Sequence, residues 1–378
     1  MHVVSLEVTD FRNYEAARLE FEPGCTVLVG ANGMGKTNLV EAIGYASTLG
    51  SHRVATDAPL VRSGCDQGWV RVKVRRAQRT ASLDLNLSPG RGTRAKLNGS
   101  PLPRARDCLG LLRCVMFSPE DLGLIKGDPA ERRRYLDELL VQRTPRWAGV
   151  IADVDRVLRQ RGALLRSVAK RGGRPDHVDQ ATLAVWDEQL ATHGGALWAA
   201  RAELVSTLRD PFQQAYRSIA TDSTSPVVDY RAGAGEFDSH HPARASELLA
   251  EALPQRHAEE WRRGVNLTGP HRDDVAIMVN DLPAKGYASQ GESWSLALAL
   301  RLAAYRLLTM DAVDGGDPIL MLDDVFAELD QHRRERLAEC VASAEQVIVT
   351  AAVPLDLPDA LSGRRFFVRG GRIEANAA

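Results

Sequence analysis

The chain has 378 residues, a formal net charge of −1, and 44% hydrophobic and 26% charged residues. That length bounds it to one large or two medium domains with a sizeable core, and the composition is that of an ordinary soluble globular protein. No apolar run approaches the roughly 20 residues that span a bilayer, the N-terminus lacks a signal-peptide pattern, and five cysteines without C-x-x-C spacing fit a reducing cytoplasm rather than disulfides or a zinc site.

The first informative stretch is VLVGANGMGKTNLVEAI, Val27 to Ile43. CTVLVG reads as a short buried strand, and TNLVEAIGYAST carries Leu39, Val40, Ile43 and Ala46 at helical spacing. Between them lies Gly30-Ala31-Asn32-Gly33-Met34-Gly35-Lys36-Thr37, of the form G-x-x-x-x-G-K-[ST], followed by Asn38. Glycines let such a loop curl so that successive N–H groups face a phosphate. Lys36 is placed for the β/γ-phosphates and Thr37 for Mg²⁺, with the helix N-terminus adding its positive dipole end.

Residues 69–87 alternate apolar and polar (WVRVKVRR, ASLDLNL) and predict antiparallel strands, and LNGSPL predicts a turn between strands. From Arg53 to Arg174 there are 26 Lys/Arg against 12 Asp/Glu. An excess of that size predicts one basic surface and an acidic remainder, unless these are simply solvated faces. Helices follow: AERRRYLDELLVQ, then RWAGVIADVDRVLRQRGALLRSVA, a turn at KRGGRPD, and a return over ATLAVWDEQLATHGGALWAARAELVSTLRDPFQQAYRSI. They predict an antiparallel helical arm with its tip near Gly172-Gly173. Arg132, Arg133 and Arg134 open this region, with two roles in view, DNA phosphate contact or ion pairs to Glu131, Asp137 or Glu138. His240-His241 reads as a solvated pair in a polar loop. A further helix follows over ASELLAEALPQRHAEEWRRG.

Ser289-Gln290-Gly291-Glu292 stands before an apolar helix, Trp294 to Leu308. A capping box is one account. The other is an ABC-type signature, whose serine and helix N-terminus meet the γ-phosphate held by a second protomer. DPILMLDDVFAELD then presents Asp323 and Asp324 at the end of an apolar strand, the manner of a Walker B carboxylate directed at Mg²⁺. AELD, Ala327 to Asp330, supplies a D-loop. Lys36 and Asp323 are 287 residues apart. If both line one site, the fold is α/β, with an ABC-type P-loop ATPase head built from both chain ends (1–125 and 266–378) and an inserted helical arm (126–265).

Seven segments in this order resemble the RecF family of bacterial recombination mediator ATPases, ABC/SMC-like proteins with a head and a short arm: FRNY, GANGMGKTN, MFSPEDL, GDPAERRRYLD, LTGPHRDD, SQGE and LMLDDVFAELD. The resemblance covers nearly the whole chain. It implies that Gly30 to Asn38 bind ATP, with Asn32 near the γ-phosphate, and that Thr37 and Asp323 hold Mg²⁺. It implies catalytic roles for Lys36, Asp323 and Asp324, with Ser289 and Gly291 acting in trans. Asp324 stands where many ABC ATPases carry a glutamate that orients water, and the shorter acid implies slow hydrolysis. Arg12 and Asn13 either contact the nucleotide or shape a turn. Thr350, where transporters place a switch histidine, is a lesser candidate. The implied partners are duplex and gapped DNA, a second copy of the chain joined through ATP, RecO and RecR, and indirectly RecA. A cytoplasmic setting without membrane is expected. The competing class is an ATPase subunit without DNA work, a transporter motor or a nuclease-coupled ATPase.

Overall fold

A computed structural model describes residues 1–220, 224–233, 241–312, 316–353 and 357–375, so His240 lies outside the described residues. The chain begins with β1 (His2–Phe11), β2 (Tyr14–Glu20), β3 (Gly24–Val29), α1 (Lys36–Thr48), β4 (Gly68–Arg76), β5 (Arg79–Leu87), β6 (Arg94–Leu97), β7 (Ser100–Pro101) and β8 (Cys114–Phe117). Next come α2 (Leu122–Lys126), α3 (Pro129–Arg143), α4 (Trp147–Lys170), α5 (His177–Ile219), β9 (Val227–Arg231) and α6 (Pro242–Arg263). The last part holds β10 (Asp274–Val279), β11 (Leu282–Pro283), α7 (Ala284–Tyr287), α8 (Gln290–Met310), β12 (Ile319–Asp323), α9 (Gln331–Val341), β13 (Gln346–Ala351), β14 (Arg364–Arg369) and β15 (Arg372–Ala375).

The chain divides into two units. One comprises Met1–Ile125, Pro211–Ser225 and Ala288–Ala378, the other Lys126–Asp210 and Pro226–Tyr287. Residues 266–287, expected with the head, group with the helical unit, and residues 211–225, expected with the arm, group with the head. The upstream division falls at Pro211, inside the 43-residue α5. Proline has no N–H to continue the helical ladder there.

The head unit holds two sheets. The antiparallel one runs β2-β1-β4-β5-β6-β7, the mixed one β15-β14-β3-β13-β12-β8. In β4, Val70, Val72 and Val74 point to the core while Trp69, Arg71 and Arg75 point outward, as a two-residue period on a half-solvated sheet requires. β12 is buried at all five positions, so it reads as a continuous apolar run ending in an acid. α1 packs between the sheets through Leu39, Val40, Ile43 and Tyr45, each worth about 1.5–3 kcal/mol of burial for the aliphatic side chains.

β13 pairs in parallel with β3 on one side and β12 on the other, with Thr350 opposite both Leu28 and Asp323. The glycine loop after β3 and the acids ending β12 therefore leave the same sheet edge. This pairing brings residues 287 positions apart into one place.

The helical unit contains α3, α4, α6, α5 as far as Asp210, and the sheet β11-β10-β9. Two buried polar clusters organise it. Arg161, fully buried on α4, donates to Glu260 Oε2 (2.6 Å), Asp187 Oδ1 (2.7 Å) and Asn266 Oδ1 (2.8 Å). Asp273, also fully buried, accepts from Trp198 Nε1, Arg201 Nη1 and Gly233 N (each 2.9 Å) and from the Tyr230 hydroxyl. The Gly172-Gly173 turn is not a bare tip. A Cβ on Gly173 would come within 3.2 Å of Arg262 Cα, so the end of α6 covers it.

Candidate nucleotide site

The loop from Gly30 to Gly35 needs its glycines for stated reasons. Gly33 (φ +79°) and Gly35 (φ +110°) have left-handed backbones, and a Cβ on Gly35 would lie 2.7 Å from the Tyr14 hydroxyl and 2.8 Å from Asn13 Nδ2. Gly30 passes under Val368, whose carbonyl oxygen would be 2.3 Å from an added Cβ. Tyr14 donates to Gly35 O (3.0 Å), and Asn13 Nδ2 donates to Met34 O (3.3 Å) while its Oδ1 accepts from Asn38 Nδ2 (2.7 Å). The β1–β2 turn thus braces the loop from one side. Ala31 and Asn32 sit exposed on the curl between these braces.

Lys36 opens α1 and is 3% exposed. Its Nζ lies 3.5 Å from Ala31 O and 3.6 Å from Asp324 Oδ2. Thr37 Oγ1 donates to Asp323 Oδ1 (3.0 Å), and Thr350 Oγ1 donates to the same oxygen (2.7 Å). Burial pushes the Asp323 carboxyl up to about 6, the Thr350 hydrogen bond opposes this, and the neighbouring Asp324 charge adds to it. Asp324 is itself left-handed (φ +50°), and its N–H donates to Thr350 Oγ1 (2.9 Å). Such backbone in a non-glycine residue costs of the order of 1–3 kcal/mol and concentrates at functional sites. Thr350, the lesser candidate from sequence, thus holds both acids. A strand-end threonine has no motif, so only the β12–β13 register reveals it.

Hard oxygen donors at Thr37 and Asp323, beside a lysine at a helix N-terminus, fit Mg²⁺ and a phosphate chain. Nothing lies within 4 Å of where a Cβ on left-handed Gly33 would stand, so the loop is open there, which suits close approach of phosphate oxygens to backbone N–H groups.

Arg12, read from sequence as either a nucleotide contact or a turn residue, is tied to its own unit. Its guanidinium is engaged by Glu41, which is fully buried, through Nε (2.7 Å) and Nη2 (2.6 Å), and it also donates to Pro59 O (3.0 Å). Burial alone would raise the Glu41 carboxyl, but hydrogen bonds from Arg12 and Ser51 outweigh it and hold it below its usual range. Arg12 thus makes the contacts that the turn-shaping reading requires.

Ser289 makes the full capping box. Its Oγ accepts from Glu292 N (3.2 Å) and its N–H donates to Glu292 Oε2 (2.8 Å). Ser289 is exposed, and among the described residues its hydrogen bonds all go to Glu292 and Ser293. Gly291 has a packing reason, since its Cβ would fall 2.9 Å from Arg333 Nη2. Arg333 ties this helix start to the D-loop, donating through Nε to Ser295 Oγ (2.9 Å) and pairing with Asp330.

Arg132, Arg133 and Arg134, at the start of the helical unit, are engaged. Arg132 is buried and bidentate on Asp274 (2.7 and 3.2 Å), Arg133 donates to Asp273 O (2.7 Å), and Arg134 lies beside Glu131 (3.6 Å) and Glu138 (3.7 Å). The ion-pair role holds for Arg132, with Asp274 as a partner not among those expected. Its burial removes it from any DNA surface.

Residues 2–355 match the RecF/RecN/SMC N-terminal domain. The chain is 55% identical to the DNA replication and repair protein RecF of Kineococcus radiotolerans, with 96% of each chain covered. The chain belongs to the RecF family. A RecF of Streptomyces avermitilis is 50% identical, with 99% of this chain and 100% of that one covered. Among solved structures, the recombination mediator protein RecF-ATPrS of the RecFOR pathway superposes with a TM-score of 0.89 at 27% identity, covering 100% of this chain and 98% of that one. An Smc head domain from Pyrococcus furiosus shares the fold, with a TM-score of 0.54 at 15% identity over 99% and 95% of the two chains. The head is thus an ABC/SMC-type ATPase fold in a family of DNA replication and repair proteins. No helix among the described residues is long and apolar enough to cross a membrane.

Proposed function

We propose that the chain is a cytoplasmic ATP-dependent DNA-binding protein of replication and recombinational repair. The observation that carries this is the convergence of Lys36, Thr37, Asp323 and Asp324 at one sheet edge. The substrate ATP would lie along Gly30 to Asn38, with Lys36 against its β/γ-phosphates. Mg²⁺ at Thr37 and Asp323, directly or through water, would offset charge on the phosphates being parted. Asp324 would orient the attacking water, and its short side chain suits slow turnover. Its position 3.6 Å from Lys36 Nζ lets one residue sense the state of the other.

Ser289 and Gly291 would meet the γ-phosphate held by a second copy, so ATP joins two heads. The joined heads would clamp duplex DNA near single-strand gaps by phosphate contacts without sequence readout, and hydrolysis would open the clamp. RecO and RecR would act with it and RecA would be loaded as a result, in keeping with a RecFOR-pathway relative.

Sedimentation with and without ATP, then with DNA, tests this. Lys36→Met should abolish hydrolysis in a folded protein. Ser289→Arg should bind ATP as a monomer yet neither dimerise nor hydrolyse. Mixing the two variants should restore part of the activity, because one composite site is then intact. Removing the cap itself costs about 1 kcal/mol, which a melt of the apo protein measures separately. If Ser289→Arg alone dimerised on ATP and turned over at the parental rate, Ser289 would be a helix cap only.

A further inference from the structure

We propose that the outer face of the antiparallel sheet binds single-stranded DNA, with Trp69 stacking on an unpaired base. Trp69 is 44% exposed, whereas Trp198, Trp261 and Trp294 are at most 6% exposed. A lone exposed apolar side chain is ordinary. What distinguishes Trp69 is the face it stands on.

The strand register sets out that face. Trp69 lies opposite Asn86, and Asn86 opposite Arg94, while the next outward row runs Glu7, Arg71, Asp84, Lys96. Lys73 and Arg75 continue along the same side of β4. Adjacent strands are about 4.8 Å apart and alternate residues on one strand about 7 Å apart, so Trp69 stands within about 10 Å of Arg71 and Arg94 at the backbone. The acids already have cationic partners, Glu7 having Arg18 (3.4 Å) as well as Arg71. Arg71 engages Asp84 (2.5 Å) and Glu7 (3.3 Å). Among the described residues, Lys73, Arg94 and Lys96 have no ion pair, and Arg75 reaches only Thr80 Oγ1 (3.5 Å).

An aromatic face amid uncompensated cations on an open sheet is the arrangement by which single strands are held: bases stack and phosphates meet lysine or arginine. A protein partner would also value an exposed tryptophan, but it would not need a row of unmatched positive charge around it. Duplex DNA offers phosphates without an accessible base, so it engages the cations alone. The inference rests on the DNA reading above and adds a site for the unpaired flank of a gap.

The test measures binding with ATP at fixed salt to blunt duplex, to the same duplex with an oligo-dT tail, and to free oligo-dT. Trp69→Ala should weaken tail and oligo-dT binding about tenfold and leave blunt duplex within about twofold, while Trp69→Phe keeps most of the affinity. Arg94→Glu with Lys96→Glu should flatten the salt dependence on the tailed DNA. Tryptophan emission should be quenched by oligo-dT in the parent and far less in Trp69→Phe. Equal loss on blunt duplex, or no loss on any DNA, overturns the proposal, and the second result in a protein that still binds duplex leaves the DNA reading standing. A parent that binds none of the three DNAs overturns both.

Discussion

Replacing Thr350 with valine keeps the volume of a buried side chain and removes one hydroxyl. That hydroxyl makes two bonds: it donates to Asp323 Oδ1 at 2.7 Å and accepts from Asp324 N at 2.9 Å. Thr37 Oγ1 still reaches the same carboxylate oxygen, at 3.0 Å. A hydrogen bond to a charged group is worth about 1.5–3 kcal/mol, and an orphaned buried N–H costs about 1–3 kcal/mol. A net loss of about 2–4 kcal/mol in the apo protein is expected. The larger effect should be catalytic. With its strand-side bond gone, Asp323 is held by Thr37 alone, and a displacement of about 1 Å at such a group costs about a hundredfold in rate. ATP turnover should fall tenfold to a hundredfold, the Mg²⁺ requirement should rise, and nucleotide binding should change little. Thr350→Ser restores the hydroxyl and should recover most of the rate. Calorimetry of the apo protein and steady-state hydrolysis against Mg²⁺ read the two effects apart. Parental turnover in a folded Thr350→Val protein would refute the claim that Thr350 positions the acids.

Gly35→Ala should abolish nucleotide binding with little change in secondary structure, since its Cβ meets Tyr14 and Asn13 below 3 Å at φ +110°; retained binding would show that the loop yields. Asp273→Ala removes the acceptor shared by Arg201, Trp198, Tyr230 and Gly233 N while Arg201 keeps its pair with Asp137, so denaturant unfolding should show a loss of about 2–4 kcal/mol, and a loss under 1 kcal/mol would contradict the hub. Burial, chiefly, holds the His271 imidazole down to about 4, below its unfolded value of 6.5. The unfolded chain therefore takes up this proton first as pH falls, and stability present above pH 6.5 is lost between 6.5 and about 4. His271→Gln should show a shallower fall in melting temperature over that window, and an unchanged slope would assign the acid sensitivity elsewhere.

Much of the head was legible in the chain because its signals are local. The glycine loop declares itself by fixed spacing, β4 and β5 by alternation, and β12 by an apolar run ended by an acid, each following from backbone geometry and burial within a few residues. The capping box at Ser289 is local too, and its geometry is formed within the chain. What no local pattern carries is pairing between distant segments. The partner of Arg132 is Asp274, far along the sequence, because β10 rather than its own helix lies beside it. The buried carboxylate of Glu41 that engages Arg12 lies 29 positions along the chain, and no pattern around Arg12 names it. The division of the chain at Pro211 and Tyr287 follows from packing density, to which hydrophobic periodicity is blind. Thr350, a lesser candidate in the sequence, gained its partners only when parallel pairing set it opposite Asp323, because a hydroxyl acquires a function from the atoms it meets and not from its place in the sequence.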